Sequence, residues 1–170
     1  MNARFLLYLL LLLGTLHAQN NLTTTATQRY FNSVRRSLEA SADVMPADKY
    51  GFRLTDGQMT FAEWLIHSAQ RNYTDCAVLK SENVSDAAKP LANLKDKADV
   101  AKALKESFAY CAAAYEGVDD QKVLSSPQMS NAYLHVVVHN NEIYGNIVGY
   151  MRANGIVPPS TAGRAGQKKN

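Results

Sequence analysis

The chain has 170 residues, with 18 lysines and arginines against 15 aspartates and glutamates, and a formal net charge of +3. So small an excess of positive charge excludes a strongly basic nucleic-acid-binding protein. The length is that of one ordinary domain, which is large enough to bury a hydrophobic core.

The N-terminus has the order of a secretory signal peptide. Arg4 is followed by an apolar run over residues 5–13 and then by the segment 14–18 (GTLHA), which ends in the small residue Ala18; this order predicts export and cleavage after Ala18. A membrane span needs roughly 20 apolar residues, about twice this run. Removing residues 1–18 takes away one basic residue and no acidic one. The remaining 17 basic and 15 acidic residues give a net charge of +2. We expect a secreted or periplasmic protein that has no membrane attachment after cleavage.

The next segment predicts a tail and a first helix. Residues 19–25 are polar without a period and predict a short tail. From Ala26 the apolar residues recur in steps of four, which is typical of a helix. The predicted inward stripe consists of Tyr30, Val34, Leu38 and Ala42. We expect this helix to end near Met45, because Pro46 follows.

A capping box marks the second helix. Thr60 and Glu63 have the spacing in which the two side chains satisfy free backbone N–H groups at a helix start, so a helix is predicted from about Phe61 to about Lys80. The following stretch, from Ser81 to Lys95, is polar and contains a proline, and it predicts a long connection.

Two more helices complete the prediction. Asp96 caps a third helix that ends near Gly117. Ser126 and Pro127 open a fourth, which Gly155 stops. Residues 160–170 predict a disordered tail. Because no strand pattern competes, the fold class is all-α, most simply a four-helix bundle over residues 26–159.

Histidine is the residue type that first points to chemistry. Outside the predicted signal peptide the chain has only His67, His135 and His139. His135 and His139 are four residues apart on the fourth helix, so they share a face, as two ligands of one metal must. His67, on the second helix, could complete the site. The competing interpretation is that these are ordinary packed or surface histidines, since helical spacing is the only geometric support.

Other catalytic classes fit the sequence less well. A di-iron carboxylate bundle needs Glu-x-x-His pairs on two helices, and neither a glycine-rich phosphate loop nor a GxSxG elbow is present. The chain has two cysteines, Cys76 and Cys111. Thiols in an exported protein tend to be bridged, and a cysteine nucleophile beside a histidine is the alternative.

Several segments together resemble a known family. They are residues 45–53 (MPADKYGFR), 60–67 (TFAEWLIH), 107–111 (SFAYC), 134–146 (LHVVVHNNEIYGN) and 155–159 (GIVPP). On them the chain is identified as similar to the DinB-like superfamily of metal-dependent four-helix bundles, which includes YfiT-type hydrolase-like proteins and thiol S-transferases. The segments span nearly all of residues 27–160, and the fourth-helix segment is the most specific.

The resemblance implies a metal site that this chain carries in degenerate form. In the family, one histidine of the second helix and two of the fourth hold the metal, at positions that correspond to His67, His139 and 143. Position 143 is isoleucine here, and Ile143 has no lone pair to donate. The resemblance therefore implies a divalent zinc or nickel ion held by His67 and His139, with His135 as a substitute ligand or orienting residue and Glu142 as a catalytic base or a ligand.

The resemblance also implies a disulfide. The family's second and third helices run parallel and are joined by a long crossover, which agrees with the connection predicted here between Ser81 and Lys95. Parallel helices starting level would place Cys76 and Cys111 at the same height, and we expect the two to be bonded.

Two functions are therefore expected from the sequence. The first is an exported DinB-like protein, related to thiol S-transferases or hydrolase-like members, whose metal would act as a Lewis acid on a thiol or water. The second is a non-catalytic, metal-free bundle that serves as a small-molecule-binding or structural module, which Ile143 favours. A small-molecule ligand and a homodimer are open as partners, and nucleic acid is not expected.

Overall fold

The computed structural model describes residues 21–83, 88 and 90–162. The signal-peptide prediction for residues 1–18 and the predicted tail beyond 162 lie outside them. The helices are α1 (Leu22–Val44), α2 (Phe61–Lys80), α3 (Lys97–Glu116), the single turn α4 (Asp120–Val123) and α5 (Pro127–Ala153), with 3₁₀ turns at Ala47–Lys49 and Pro90–Asn93. Every regular element in these residues is helical, which confirms the all-α class, and α5 is the predicted fourth helix.

Four long helices surround one core. Helix α1 packs against α3 and α5, and α2 packs against the same two helices. Helices α2 and α3 run in the same direction, because Asn72 bonds to Ser107 and, further along both helices, Cys76 bonds to Cys111. Helix α5 runs opposite to α2, since the start of α2 meets the end of α5 where Trp64 donates to Tyr150. Residues that are far apart in the sequence therefore lie at the same level along the helix axes where α2, α3 and α5 pack together.

The predicted helix boundaries agree closely with the structure where capping chemistry defines them. The capping box of α2 is present, with Glu63 N–H donating to Thr60 Oγ1 at 3.2 Å and Thr60 N–H donating to Glu63 Oε2 at 2.6 Å. Ser126 caps α5, and Pro127 occupies its first turn. Gly155 follows the end of α5 with a φ of +71°, a conformation that glycine adopts without steric cost.

The start of α1 differs from the prediction. The helix begins at Leu22 rather than Ala26, so most of the expected polar tail is helical. The carboxylate of Asp120 accepts from the backbone N–H of Thr23 at 3.1 Å and of Thr24 at 2.8 Å, and these first-turn N–H groups have no partner inside a helix. A capping residue nearly a hundred positions away is invisible to local sequence patterns. Towards the other end of the chain, residues 159–162 form a further helical turn, so residues 160–162 of the expected disordered tail are helical.

The inward stripe of α1 differs from the prediction at its first position only. Tyr30 is 67 % exposed, whereas Phe31 is buried and stacks on Tyr115 with ring centroids 4.5 Å apart. Val34 and Leu38 are buried as predicted. Spacings of three and four both keep a helical face, so the stripe passes through Phe31 instead of Tyr30.

The two cysteines meet across the parallel pair of helices. Cys76 and Cys111 form a disulfide with their Cα atoms 5.3 Å apart, in agreement with the expected pairing. Neither thiol is free, so a cysteine nucleophile is not available in this form of the protein. In the described part of the chain, no helix combines the length and apolar character that crossing a membrane requires.

Candidate functional site

The three histidines form a row between α2 and α5. His67 Nε2 and His139 Nε2 lie 3.0 Å apart, and their rings are nearly perpendicular with centroids 4.9 Å apart. The ring of His135 is nearly parallel to that of His139, again with centroids 4.9 Å apart. His139 therefore contacts both of the others and lies between them. The structure brings the sequence-predicted residues together, with the His67–His139 pair as the closest contact.

A carboxylate lies near the Nδ1 atom of each of the two histidines of α5. His135 Nδ1 lies 2.7 Å from Asp75 Oδ2, and because a carboxylate only accepts hydrogen bonds, Nδ1 is the N–H donor of this contact. The other oxygen of Asp75 accepts from Arg71 at 2.9 Å. His139 Nδ1 lies 3.5 Å from Glu142 Oε2. Carboxylates commonly orient metal-binding histidines in this way, and the same geometry also occurs in ordinary ion pairs.

The surroundings of the pair favour neutral imidazoles. Burial lowers the pKa of His67, and the nearby charges of His139 and Arg71 lower it further. Burial also lowers the pKa of His139, and the opposing effect of Glu142 does not restore it. A neutral imidazole is the form that has a lone pair for a metal or for a hydrogen-bond donor. At neutral pH the two imidazoles can therefore bind a metal ion or accept a hydrogen bond.

A buried polar cluster fixes the height of α2 against α5 beside the histidines. Ser68 Oγ donates to Asn140 Oδ1 at 2.5 Å, and Asn140 Nδ2 donates to Asn72 Oδ1 at 2.8 Å. Asn72 in turn donates to Ser107 of α3 at 3.1 Å. Ser68 follows His67 directly, and Asn140 follows His139. In the described residues no buried side-chain nitrogen or oxygen lacks a partner, so this cluster is fully satisfied and resists sliding of the two helices.

Sequence reasoning missed this polar cluster. The available signal was the appearance of Ser68, Asn72 and Asn140 on the inward faces of helices that otherwise bury apolar side chains. A buried amide or hydroxyl must find a hydrogen-bond partner, so polar residues at such positions predict one another. Which of them pair depends on the parallel arrangement of α2 and α3, which local patterns do not encode.

The His67–His139 pair fits two ligands of a shared metal ion. With metal–nitrogen bonds of roughly 2.0–2.1 Å, two adjacent ligands lie roughly 2.8–3.0 Å apart on an octahedral ion and roughly 3.3–3.4 Å apart on a tetrahedral ion. The observed 3.0 Å falls in the octahedral range and also suits one imidazole N–H donating to the other ring. Ile143, at the position that the resemblance assigns to a third ligand, is buried and has no donor atom. The described residues hold no group of three histidine, cysteine, aspartate or glutamate side chains that could bind a metal.

A cleft opens beside His67. It has a volume of about 410 Å³ and lies between the loop at residues 53–59 and the face of α2 that carries Glu63, Ile66 and Gln70. A cleft of about 570 Å³ near α4 is larger, but no histidine lines it. Of these two clefts, only the one at His67 would bring a bound small molecule against a histidine of the pair.

Comparisons of this chain with protein-family models, with curated proteins and with solved structures give no match.

Proposed function

We propose that the chain is an exported DinB-like four-helix bundle that binds one divalent ion, zinc or nickel, through His67 and His139. The observation that supports this most is the 3.0 Å separation of the two Nε2 atoms, contributed by two different helices. The lowered pKa of both imidazoles supports it as well, because protons compete less with a metal. The buried Cys76–Cys111 disulfide is compatible with export to an oxidising compartment.

The chain's own residues have distinct tasks in this proposal. His67 and His139 bind the ion, and Glu142 orients His139 from the Nδ1 side. Asn140 holds α5 at the height of α2, so the two ligand nitrogens stay at bonding distance. A bound divalent ion supplies Lewis-acid polarisation of a thiol or water. A thiol-transferase or hydrolase activity is proposed from the family resemblance alone.

A second candidate function is a metal-free module that binds a small molecule or serves a structural role. The observation that favours it is Ile143, which fills the expected third ligand position with a buried apolar side chain. In that case the His67–His139 contact is a hydrogen bond between two neutral rings.

Metal titration of the purified mature protein distinguishes the two candidates. The protein is stripped with a chelator and titrated with Zn²⁺ and with Ni²⁺ in a calorimeter. We expect one ion per chain in the wild type and loss of binding in His67→Ala and His139→Ala. The matched control is His135→Ala, which removes a histidine from the same row and is expected to leave the stoichiometry unchanged, because Asp75 already holds that ring. A wild type that takes up neither ion, or binding that depends on His135 alone, would overturn the metal proposal.

A further inference from the structure

We infer that the cleft beside His67 binds a small organic ammonium ion with an apolar ring or chain, and that Asp56 is its main recognition residue. This inference goes beyond the proposed metal binding and does not need a metal. It names the class of small molecule that the second candidate function, a metal-free module, leaves open.

The charged side chains of the cleft favour a cation. Its lining carries the carboxylates of Asp56 and Glu63 and the single guanidinium of Arg53, and two negative charges against one positive charge give −1. Burial lowers the pKa of His67, so its imidazole adds no positive charge at neutral pH. Lys95 is close enough to lower the pKa of Glu63, but it lines a neighbouring cleft instead. A positively charged ligand therefore fits this lining better than an anion does.

The two carboxylates differ in how far the fold already uses them. Glu63 Oε2 accepts from the N–H of Thr60 at 2.6 Å and belongs to the capping box of α2. The side chain of Asp56 is exposed and, among the residues that the structure describes, it has neither a hydrogen bond nor an ion pair. Arg53 reaches only the main-chain oxygen of Asp56, at 3.4 Å. The Asp56 carboxylate is therefore available for a charge-assisted hydrogen bond from an ammonium group.

The uncharged part of the lining suits an apolar ligand body. Met59, Ile66 and Ala92 line the same cleft. Met59 is 40 % exposed although its side chain is large and apolar, and a ring packed on it would remove that surface from water. The volume of about 410 Å³ corresponds to roughly a dozen waters at about 30 Å³ for each water of the bulk liquid. A molecule with one six-membered ring and a short aminoalkyl group therefore fits within it.

A buried tyrosine holds the loop that carries Asp56 and Met59. The hydroxyl of Tyr150 donates to the main-chain oxygen of Met59 at 2.5 Å and accepts from Trp64 Nε1 of α2 at 3.1 Å. Tyr150 itself is fully buried. The core of the bundle thus fixes the loop against α2, so the cleft is formed before a ligand arrives and less ordering opposes binding.

The probe for this inference is benzylamine, which is a cation at neutral pH, and benzyl alcohol and benzoate are neutral and anionic molecules of similar shape. Each is titrated into the ¹⁵N-labelled protein, kept metal-free with a chelator, and followed by NMR. We expect one benzylammonium ion per chain, weaker binding of benzyl alcohol and no binding of benzoate. Asp56→Asn keeps the shape of the side chain, removes its charge and should bind benzylammonium about three- to tenfold more weakly. The matched control Asp48→Asn removes an exposed carboxylate that pairs with Lys49 outside the cleft, and it should match the wild type.

An arginine variant tests the sign of the charge effect. Arg53→Gln removes the positive charge of the lining and should bind benzylammonium about two- to fivefold more tightly, whereas Arg36→Gln, which removes an exposed arginine of α1, should not change the affinity. Absence of benzylammonium binding, equal affinity in Asp56→Asn and wild type, or benzoate binding as tight as that of benzylammonium would each overturn the inference. The titration with Zn²⁺ is a separate measurement, so a protein that binds benzylammonium but no metal contradicts only the metal proposal.

Discussion

The contact between α2 and α3 and the contact between α2 and α5 differ in how completely they are buried from solvent. Between α2 and α3, the disulfide and the Asn72–Ser107 hydrogen bond are fully buried. Between α2 and α5, the same type of buried polar bond lies next to two partly buried imidazoles, of which that of His67 lines a cleft. The fully buried contact between α2 and α3 stabilises the fold. The partly exposed contact between α2 and α5, which the buried Ser68–Asn140 bond keeps rigid, is available for binding. The predictions that follow test this division.

Removing the disulfide should have the largest effect on stability. A bridge across a sequence separation of 35 residues restricts the unfolded chain, and its loss costs about 2–4 kcal/mol. The double variant Cys76→Ala, Cys111→Ala should lose that much free energy of unfolding in urea and still bind metal, because the histidine pair lies at the other contact. Reductant should destabilise the wild type and leave the double variant unchanged. Two free thiols in the native exported protein, measured by mass spectrometry, would contradict the disulfide.

Replacing Asn140 should affect both contacts. Asn140→Ala leaves Ser68 and Asn72 with lost partners in the core and should cost about 1–3 kcal/mol. It should also weaken Zn²⁺ binding, because the height of α2 against α5 is no longer fixed. The neighbouring Asn141→Ala removes an exposed amide that bonds only within its own helix, to Val137, and should be close to neutral. Equal effects of the two variants on unfolding and on Zn²⁺ affinity would show that Asn140 has no such role.

Placing a histidine at position 143 should lower stability and raise metal affinity. Ile143→His puts a polar ring into the core, which should cost the metal-free protein about 1–2 kcal/mol. With Zn²⁺ the same variant should bind at least about tenfold more tightly than the wild type, which corresponds to 1.4 kcal/mol. Thermal unfolding with and without Zn²⁺ measures both effects. A variant that gains no affinity would indicate that position 143 does not face the site.

Acidification should produce the smallest effect. In the metal-free protein the pKa of His67 and of His139 lies below the unfolded value of about 6.5, so the unfolded chain binds protons first as pH falls. The free energy of unfolding should therefore decrease below about pH 6.5, and it should not change from this cause above that pH. The decrease between pH 7 and 5 should be smaller in His67→Gln and in His139→Gln, and unchanged in Arg36→Gln. An identical decrease in all these proteins would exclude the pair as its origin.

Local chemistry explains which parts of the fold could be predicted. The ends of α2 and α5 follow from Thr60, Ser126 and Gly155, because caps and glycine act on adjacent backbone. The start of α1 depends on Asp120, and the buried polar cluster depends on Asn140. Each of these residues bonds to a partner that is distant in the sequence, which local patterns do not reveal. The sequence singled out the three histidines as candidates without indicating their order. That His139 lies between the other two follows only from the rotation of α5 against α2.

The most direct test of the account is whether one ion engages His67 and His139 together. Nitrogen-detected imidazole spectra of the ¹⁵N-labelled mature protein report each ring nitrogen separately, and the histidine variants assign them. With one equivalent of Zn²⁺, the Nε2 signals of His67 and His139 should shift together, and the Nδ1 signal of His135 should stay at its protonated position beside Asp75. Spectra that do not change with Zn²⁺, or a shift confined to His135, would contradict the account.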